Sequence, residues 1–300
     1  MDSNANTEEK NEINTGAAPR LPIKAIFSFV IAAVMFAVVF TAFYKNEKAD
    51  NRDYTPSIVI MGDSIMAYYQ DERSVASKLS ELTGEEVLDA SFGGTCFSYQ
   101  DRDGRLDNCV DAFSIAALTR AIVSNDFRYQ YTSDVRMSAT EYFPERVKQL
   151  GKVDFSGVDI LIIESLANDY HNSARIKSGS DKYDEYTYEG AMRSVIEALK
   201  KNYPDLRIII AAPPETFYRD GDGNMVSCME KDFGGGTEKD YLDAQRKIAS
   251  EYGIELLDLS GSYGEINEEN WNDYSIDGLH PWPWGAEKIA ECIAGYIGAD

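Results

Sequence analysis

Histidine is scarce in this chain: His171 and His280 are the only two in 300 residues. Any step that needs an imidazole therefore has two candidates, and a zinc site built on clustered histidines is excluded. Cysteine is sparse as well. Cys96, Cys109, Cys228 and Cys292 include no pair with the C-x-x-C spacing of zinc and redox motifs. Positive charge is in deficit, with 29 Lys plus Arg against 51 Asp plus Glu and a net charge of −22. Such a balance supplies no basic stripe for a phosphate backbone, so nucleic acid is not an expected partner. Anionic lipid head groups would repel it too. There is no Gly-rich phosphate loop and no internal repeat, and the acidic excess reads as a solvated face. Neither a metal nor a cofactor is expected.

Long apolar runs are also few, but one stands out. Residues 25–44, from Ala25 to Tyr44, carry no charge, a length that suits the ~30 Å hydrocarbon core of a bilayer. A cleavable signal peptide has a shorter apolar region, about 7–15 residues, ending in a small-x-small site. Here Phe40 stands where a small residue would be needed. The expectation is one uncleaved transmembrane anchor at 25–44, preceded by a polar, disordered tail (1–24) and followed by a tether (45–55). Arg20 and Lys24 before the span are matched by Lys45, Lys48 and Arg52 after it, so the positive-inside count decides nothing. A short leading tail before a large trailing domain is the shape of a signal-anchor. It places the protein at the cell membrane as a single-pass chain with residues 56–300 outside the cytoplasm.

Chemistry enters with two segments far apart in the chain. Gly62-Asp63-Ser64 follows a strand-like run, Ile58 to Met61, and Asp277-Gly278-Leu279-His280 places a carboxylate three residues before an imidazole. A serine hydroxyl is a weak nucleophile until a base takes its proton, and the base needs an anion to orient its ring. Two blocks lie between them. Ser91-Phe92-Gly93-Gly94-Thr95 follows a second strand-like run, and Glu164-Ser165-Leu166-Ala167-Asn168-Asp169 follows a third. A glycine N–H and an asparagine amide are donors suited to a developing oxyanion.

On these four blocks the chain resembles the SGNH (GDSL-type) hydrolase family over about residues 56–298. The resemblance implies a flavodoxin-like, three-layer α/β/α sandwich acting on esters or transferring acyl groups. It implies Ser64 as nucleophile, His280 as base, Asp277 as orienting acid, and an oxyanion hole made by Ser64 N–H, Gly94 N–H and the Asn168 amide. One position departs: where the family's third block reads Gly-x-Asn-Asp, Leu166 replaces the glycine, which puts the path into Asn168 in question.

Periodicity supports that fold independently. Strand-like runs at 57–61, 86–90, 158–163, 206–211 and 254–258 alternate with helical patterns at Ser74–Leu82, Tyr188–Lys200, Lys239–Glu251 and Gly285–Ile297. That alternation predicts a five-stranded parallel sheet covered on both faces. Ligands of such sheets bind beyond the strand carboxyl ends, where Ser64, Gly94 and Asn168 all fall. Two long connections, Thr95–Val153 and Pro213–Thr237, leave from the same edge and are expected to shape the pocket. In the first, Cys96 and Cys109 flank a polar loop. A bond between them outside the cytoplasm would contribute on the order of 3 kcal/mol. His171, with Asn168 rather than a carboxylate three residues earlier, reads as a pocket or surface residue. Trp282 and Trp284 are open to stacking on a sugar or packing on the last helix.

Three function classes follow. The first is a serine esterase cleaving a small acyl ester or an acylated surface glycan. The second is an acyltransferase using the same residues with a sugar hydroxyl in place of water. The third is an inactive glycan-binding relative. Hydrolysis is favoured, because a transferase outside the membrane needs an activated donor that one spanning helix cannot carry across.

Overall fold

The structure, a computed structural model, describes residues 52–101, 109–133, 140–262 and 264–298, apart from the side chains of Cys109 and Ser262. The expected tail, the 25–44 span and most of the tether lie outside the described residues. Among the described residues, no helix is long and apolar enough to cross a membrane.

The described residues form seven strands: β1 (Ile58–Met61), β2 (Val87–Asp89), β3 (Ile160–Glu164), β4 (Arg207–Ala212), β5 (Phe217–Arg219), β6 (Met225–Ser227) and β7 (Glu255–Asp258). Five of them make one parallel sheet in the order β2-β1-β3-β4-β7. Each of the five expected strands is present, shifted by a residue or two at its ends. The order reverses direction at β1, so the carboxyl ends of β1, β2 and β3 lie side by side, which is where such sheets place a site. The β5–β6 antiparallel hairpin was not expected; it occupies the second long connection.

Alternation along the strands decides which side chain faces which helical layer. Val59, Met61, Leu161, Ile163, Ile208 and Ile210 point to one face, where helices Ile115–Ser124, Tyr188–Asn202 and Glu238–Tyr252 cover them. Ile58, Ile60, Ile162, Ile209 and Leu257 point to the other, against helices Val75–Thr83 and Pro283–Ile297. Fully burying each such side chain contributes on the order of 2 kcal/mol. Because both faces are covered, the central strands show no polar alternation and are apolar but for Glu164 at the end of β3 and Arg207 at the start of β4.

The helices start and stop where their side chains dictate. Ser74 accepts from the Ser77 N–H at the start of Val75–Thr83, and Thr237 and Asp240 form a reciprocal capping box at the start of Glu238–Tyr252. The connection after β2 holds four helices, Cys109–Ala112, Ile115–Ser124, Arg128–Thr132 and Phe143–Leu150. The expected Cys96–Cys109 bond is corrected for Cys96, which is a buried free thiol. Its sulfur turns inward and accepts a hydrogen bond from Asn172 Nδ2 at 3.4 Å.

Candidate active site

Ser64 opens the short helix Ser64–Ala67 directly after β1. Asp63 caps that helix: its Oδ1 accepts from Ile65 N–H at 2.9 Å. The capping carboxylate is fully buried, while Ser64 is left half-exposed at the carboxyl edge of the sheet.

The second half of the constellation comes from a small closed turn. Ser275 and Pro281 bridge antiparallel, and Ile276 N–H donates to His280 O at 2.8 Å. At its tip Asp277 Oδ1 accepts from the N–H groups of Leu279 (3.1 Å) and His280 (2.9 Å). Its Oδ2 meets His280 Nδ1 at 2.7 Å. The other ring nitrogen, Nε2, lies 2.9 Å from Ser64 Oγ, joining residues 216 positions apart. Burial alone would push Asp277 up. The His280 ring and the two backbone donors outweigh it and hold the carboxyl down at about 2, so it is an anion at any physiological pH.

Gly278 is what allows this turn to dock. Its φ is +95°, and an added Cβ would lie 2.4 Å from Phe217 O and 2.6 Å from Met225 Cε. Phe217 N–H in turn donates to Gly278 O at 2.8 Å. The β5–β6 hairpin is therefore the surface against which the Asp277–His280 turn is set.

The donors approach from β2 and β3. Gly94 has φ +77°, and its neighbour Gly93 runs so close to Ser64 that an added Cβ would lie 3.6 Å from Ser64 Cβ. Gly93 N–H is taken by Tyr142 Oη at 2.9 Å. Asn168 Nδ2 donates to Asp63 Oδ2 (3.2 Å) and to Thr95 O (3.0 Å), so both of its N–H groups already have partners within the protein. Leu166, the departure from the family pattern, is buried in the core with φ −151°. No positive φ is required there, and Asn168 still reaches the loop after β2.

Ser64, Gly94, Asn168 and His280 line one cavity of 810 Å³, with Tyr68 and Tyr142 among its other walls. Asp277 stands behind the imidazole. His171 does not line this cavity; it is exposed and packs against the rings of Tyr170 and Phe233. Trp282 donates Nε1–H to Asn272 O, and Trp284 packs on Tyr274, so neither faces the cavity.

Four residues escaped the sequence reading. Tyr68 stacks on the His280 ring with centroids 4.7 Å apart and planes 27° apart; its spacing of four from Ser64, one helical turn, was a usable signal. Tyr142 had none, since only the folded chain brings it to Gly93. Asp169, fully buried, accepts from Ser98 N–H at 3.1 Å and from Phe97 N–H, fastening the loop after Gly94 to the Asn168 block. Glu164, fully buried at the end of β3, is the fourth. Burial pushes its carboxyl well above the usual range, and the charge of Asp63 adds to the effect. Asp63 is itself raised by burial, against the pull of Ile65 N–H.

The set can do nucleophilic acyl chemistry: a hydroxyl, a base in hydrogen-bond contact with it, and an anion orienting the base. Among the described residues, no group of His, Cys, Asp or Glu could hold a metal ion.

The family model described as "GDSL-like Lipase/Acylhydrolase family" matches residues 60–288. A solved structure of a protein from Lactobacillus plantarum is 18% identical, covers 81% of this chain and 97% of its own, and superposes with a TM-score of 0.56. A possible lipase from Chitinophaga pinensis is 15% identical over 82% of this chain and 100% of its own, with a TM-score of 0.50. At such identities the likeness is one of fold. No curated protein matches the chain.

Proposed function

The chain belongs to the GDSL-like lipase/acylhydrolase family and is an ester hydrolase of that family, and from that premise we propose that Ser64, His280 and Asp277 are its catalytic triad. The observation that carries this is the unbroken chain of contacts from Ser64 Oγ to His280 Nε2 (2.9 Å) and from His280 Nδ1 to Asp277 (2.7 Å). In the reaction Nε2 takes the Ser64 proton as Oγ bonds to the ester carbonyl carbon. The carbonyl oxygen becomes an oxyanion facing Ser64 N–H, Gly94 N–H and the Asn168 amide, which must release its longer bond to Asp63 to contribute. Collapse expels the alcohol, which leaves with the proton from His280. Water then repeats the sequence on the acyl-enzyme and returns Ser64 with the free acid.

The substrate in this reading is a small acyl ester on a sugar. It is supported by the cavity wall, where the rings of Tyr68, Tyr69 and Tyr142 offer faces on which a sugar can stack and Gln70, Thr140 and Asn168 offer groups that can hydrogen-bond its hydroxyls. The site of action is the outer face of the cell membrane, with 25–44 as the anchor; that part rests on the uncharged run alone.

The test is hydrolysis of aryl acetates and longer aryl esters by the purified full chain and by Ser64→Ala. The substitution should lower kcat by at least about a thousandfold while leaving the thermal midpoint in place. A Ser64→Ala chain that still turns over at the native rate sinks the triad. Acylated sugar appearing in place of free acetate, when a sugar acceptor is added, would mean transfer rather than hydrolysis.

A further inference from the structure

A second cavity, of 700 Å³, opens beside the catalytic one, and the two share Tyr69 and Gln70 as a common wall. It is lined by helix Val75–Thr83, helix Phe143–Leu150 and β2. As the edge strand of the sheet, β2 is paired on one side only among the described residues. The depression thus continues from the nucleophile's cavity along the flank of the domain.

Its chemistry is that of a neutral, hydroxylated ligand. Ser77 Oγ donates to Asp71 O and Ser80 Oγ to Glu85 O. A hydroxyl that donates inward keeps acceptor capacity for a donor outside: Ser80 keeps both lone pairs, and Ser77, which also accepts from Ser74 Oγ at 2.9 Å, keeps one. Arg146 is committed: it pairs with Asp89 at 2.8 Å and donates to Gln70 Oε1 at 2.7 Å. The other charged groups of the lining, Asp53 and Lys152, are one of each sign. A groove so balanced selects against both polyanions and polycations, and its serine and glutamine groups leave no continuous apolar wall for a fatty chain. The far wall is coupled to the chemistry. The Arg146 guanidinium lies 4.5 Å from the Tyr142 ring centroid, and Tyr142 holds Gly93 N–H beside Ser64.

We propose that this groove binds the sugar chain of a neutral polymeric glycan, running away from the sugar whose acyl ester is held at Ser64. The inference rests on the esterase reading above and adds that the enzyme reads the polymer as well as the ester. Because the groove is joined to the cavity through Tyr69 and Gln70, binding there positions the ester and is expressed as a dependence on chain length.

The experiment uses the purified full chain with acetylated and unacetylated xylo-oligosaccharides and N-acetylglucosamine oligomers, from the monosaccharide to the hexasaccharide. Native protein should show kcat/KM rising about tenfold or more along one acetylated series, the gain expected from a few extra hydrogen bonds. Gln149→Trp, an exposed position in the groove lining, should flatten that dependence. Turnover of an aryl acetate in the same preparation reports whether the triad is assembled. Calorimetry with the unacetylated oligomers measures the groove without chemistry and should show affinity that grows with length and is lost in Gln149→Trp. Equal rates and no binding across both series, in a chain that cleaves aryl acetate, would overturn the groove and leave the esterase. Length-dependent binding in a chain that cleaves no ester would overturn the esterase and leave the groove.

Discussion

At Ser64 the hydroxyl is positioned by its neighbours more than by itself. Asp63 fixes the helix start through Ile65 N–H, and His280 fixes the hydroxyl's one strong acceptor. Tyr68 completes this arrangement by stacking on the imidazole, so that the ring keeps one orientation toward both Asp277 and Ser64. An aromatic pair of this kind contributes about 1 kcal/mol. Tyr68→Ala should therefore lower kcat roughly fivefold, while Tyr68→Phe keeps the stack and most of the rate. If the Phe variant is as slow as the Ala variant, it is the hydroxyl and not the ring that matters. The two histidines separate in the same assay. His280→Ala should be about as damaging as Ser64→Ala, and the double variant little worse, because the pair acts as a unit. His171→Ala, outside the cavity, should leave the rate near native; a larger loss there would reassign the base.

Among the elements, the β5–β6 hairpin and the Asp277–His280 turn depend on one another. The hairpin contributes no side chain to the catalytic cavity, yet its Phe217 backbone meets Gly278 on both sides of a hydrogen bond and a close approach. Gly278→Ala must relieve a contact with a backbone oxygen and also adopt a positive φ. Together these should cost about 2 kcal/mol or more. Urea denaturation measures that loss, and kcat should fall with it because Asp277 and His280 are carried by the displaced turn. A Gly278→Ala protein of native stability and rate would mean that the turn adjusts freely. The two long connections were both expected to shape the pocket, but only the first reaches its wall. The first supplies wall residues, Tyr142 among them, whereas the second supports the acid–base turn from behind.

For the molecule as a whole, acidity and burial set the pH response. Burial pushes Glu238 up to about 8, although Thr216 donates to its carboxylate, and Asp169 up to about 7. A carboxyl raised in the folded state binds its proton more tightly folded than unfolded. The stability it contributes is complete below its ordinary value near 4 and is lost as pH rises through 7 to 8. Asp277 runs the other way, its contribution present above about 4 and lost only as pH falls toward 2. Net charge of −22 adds self-repulsion that eases on mild acidification. The urea midpoint should therefore be higher at pH 5 than at pH 8, and Glu238→Gln should narrow the difference. A midpoint that rises toward pH 8 would contradict this account. At the same scale, protease added to intact cells should digest the domain if the 25–44 segment holds it outside. Cleavage only after lysis would place it in the cytoplasm.

The sequence by itself determined the sheet and the candidates for the chemistry. Ile58 to Met61 and Ile160 to Ile163 are short apolar runs, rich in β-branched residues, that read as strands covered on both faces, and their alternation with helical patterns points to parallel pairing. Ser64, Asp277 and His280 were legible as candidates because acyl chemistry needs those residue types and the chain has so few imidazoles, and the fold brings the three into contact. Tertiary structure alone decided the rest. That Cys96 points inward, that Asn168 spends both N–H groups on Asp63 and Thr95, and that Glu164 lies buried beside Asp63 are facts about which side of a loop or strand end faces which neighbour. Loop backbones carry no periodicity from which such directions could be read. The hairpin under Gly278 and the stack of Tyr68 on His280 have the same origin: each is a contact between segments about 50 to more than 200 residues apart, made only once the sheet has brought its carboxyl ends together.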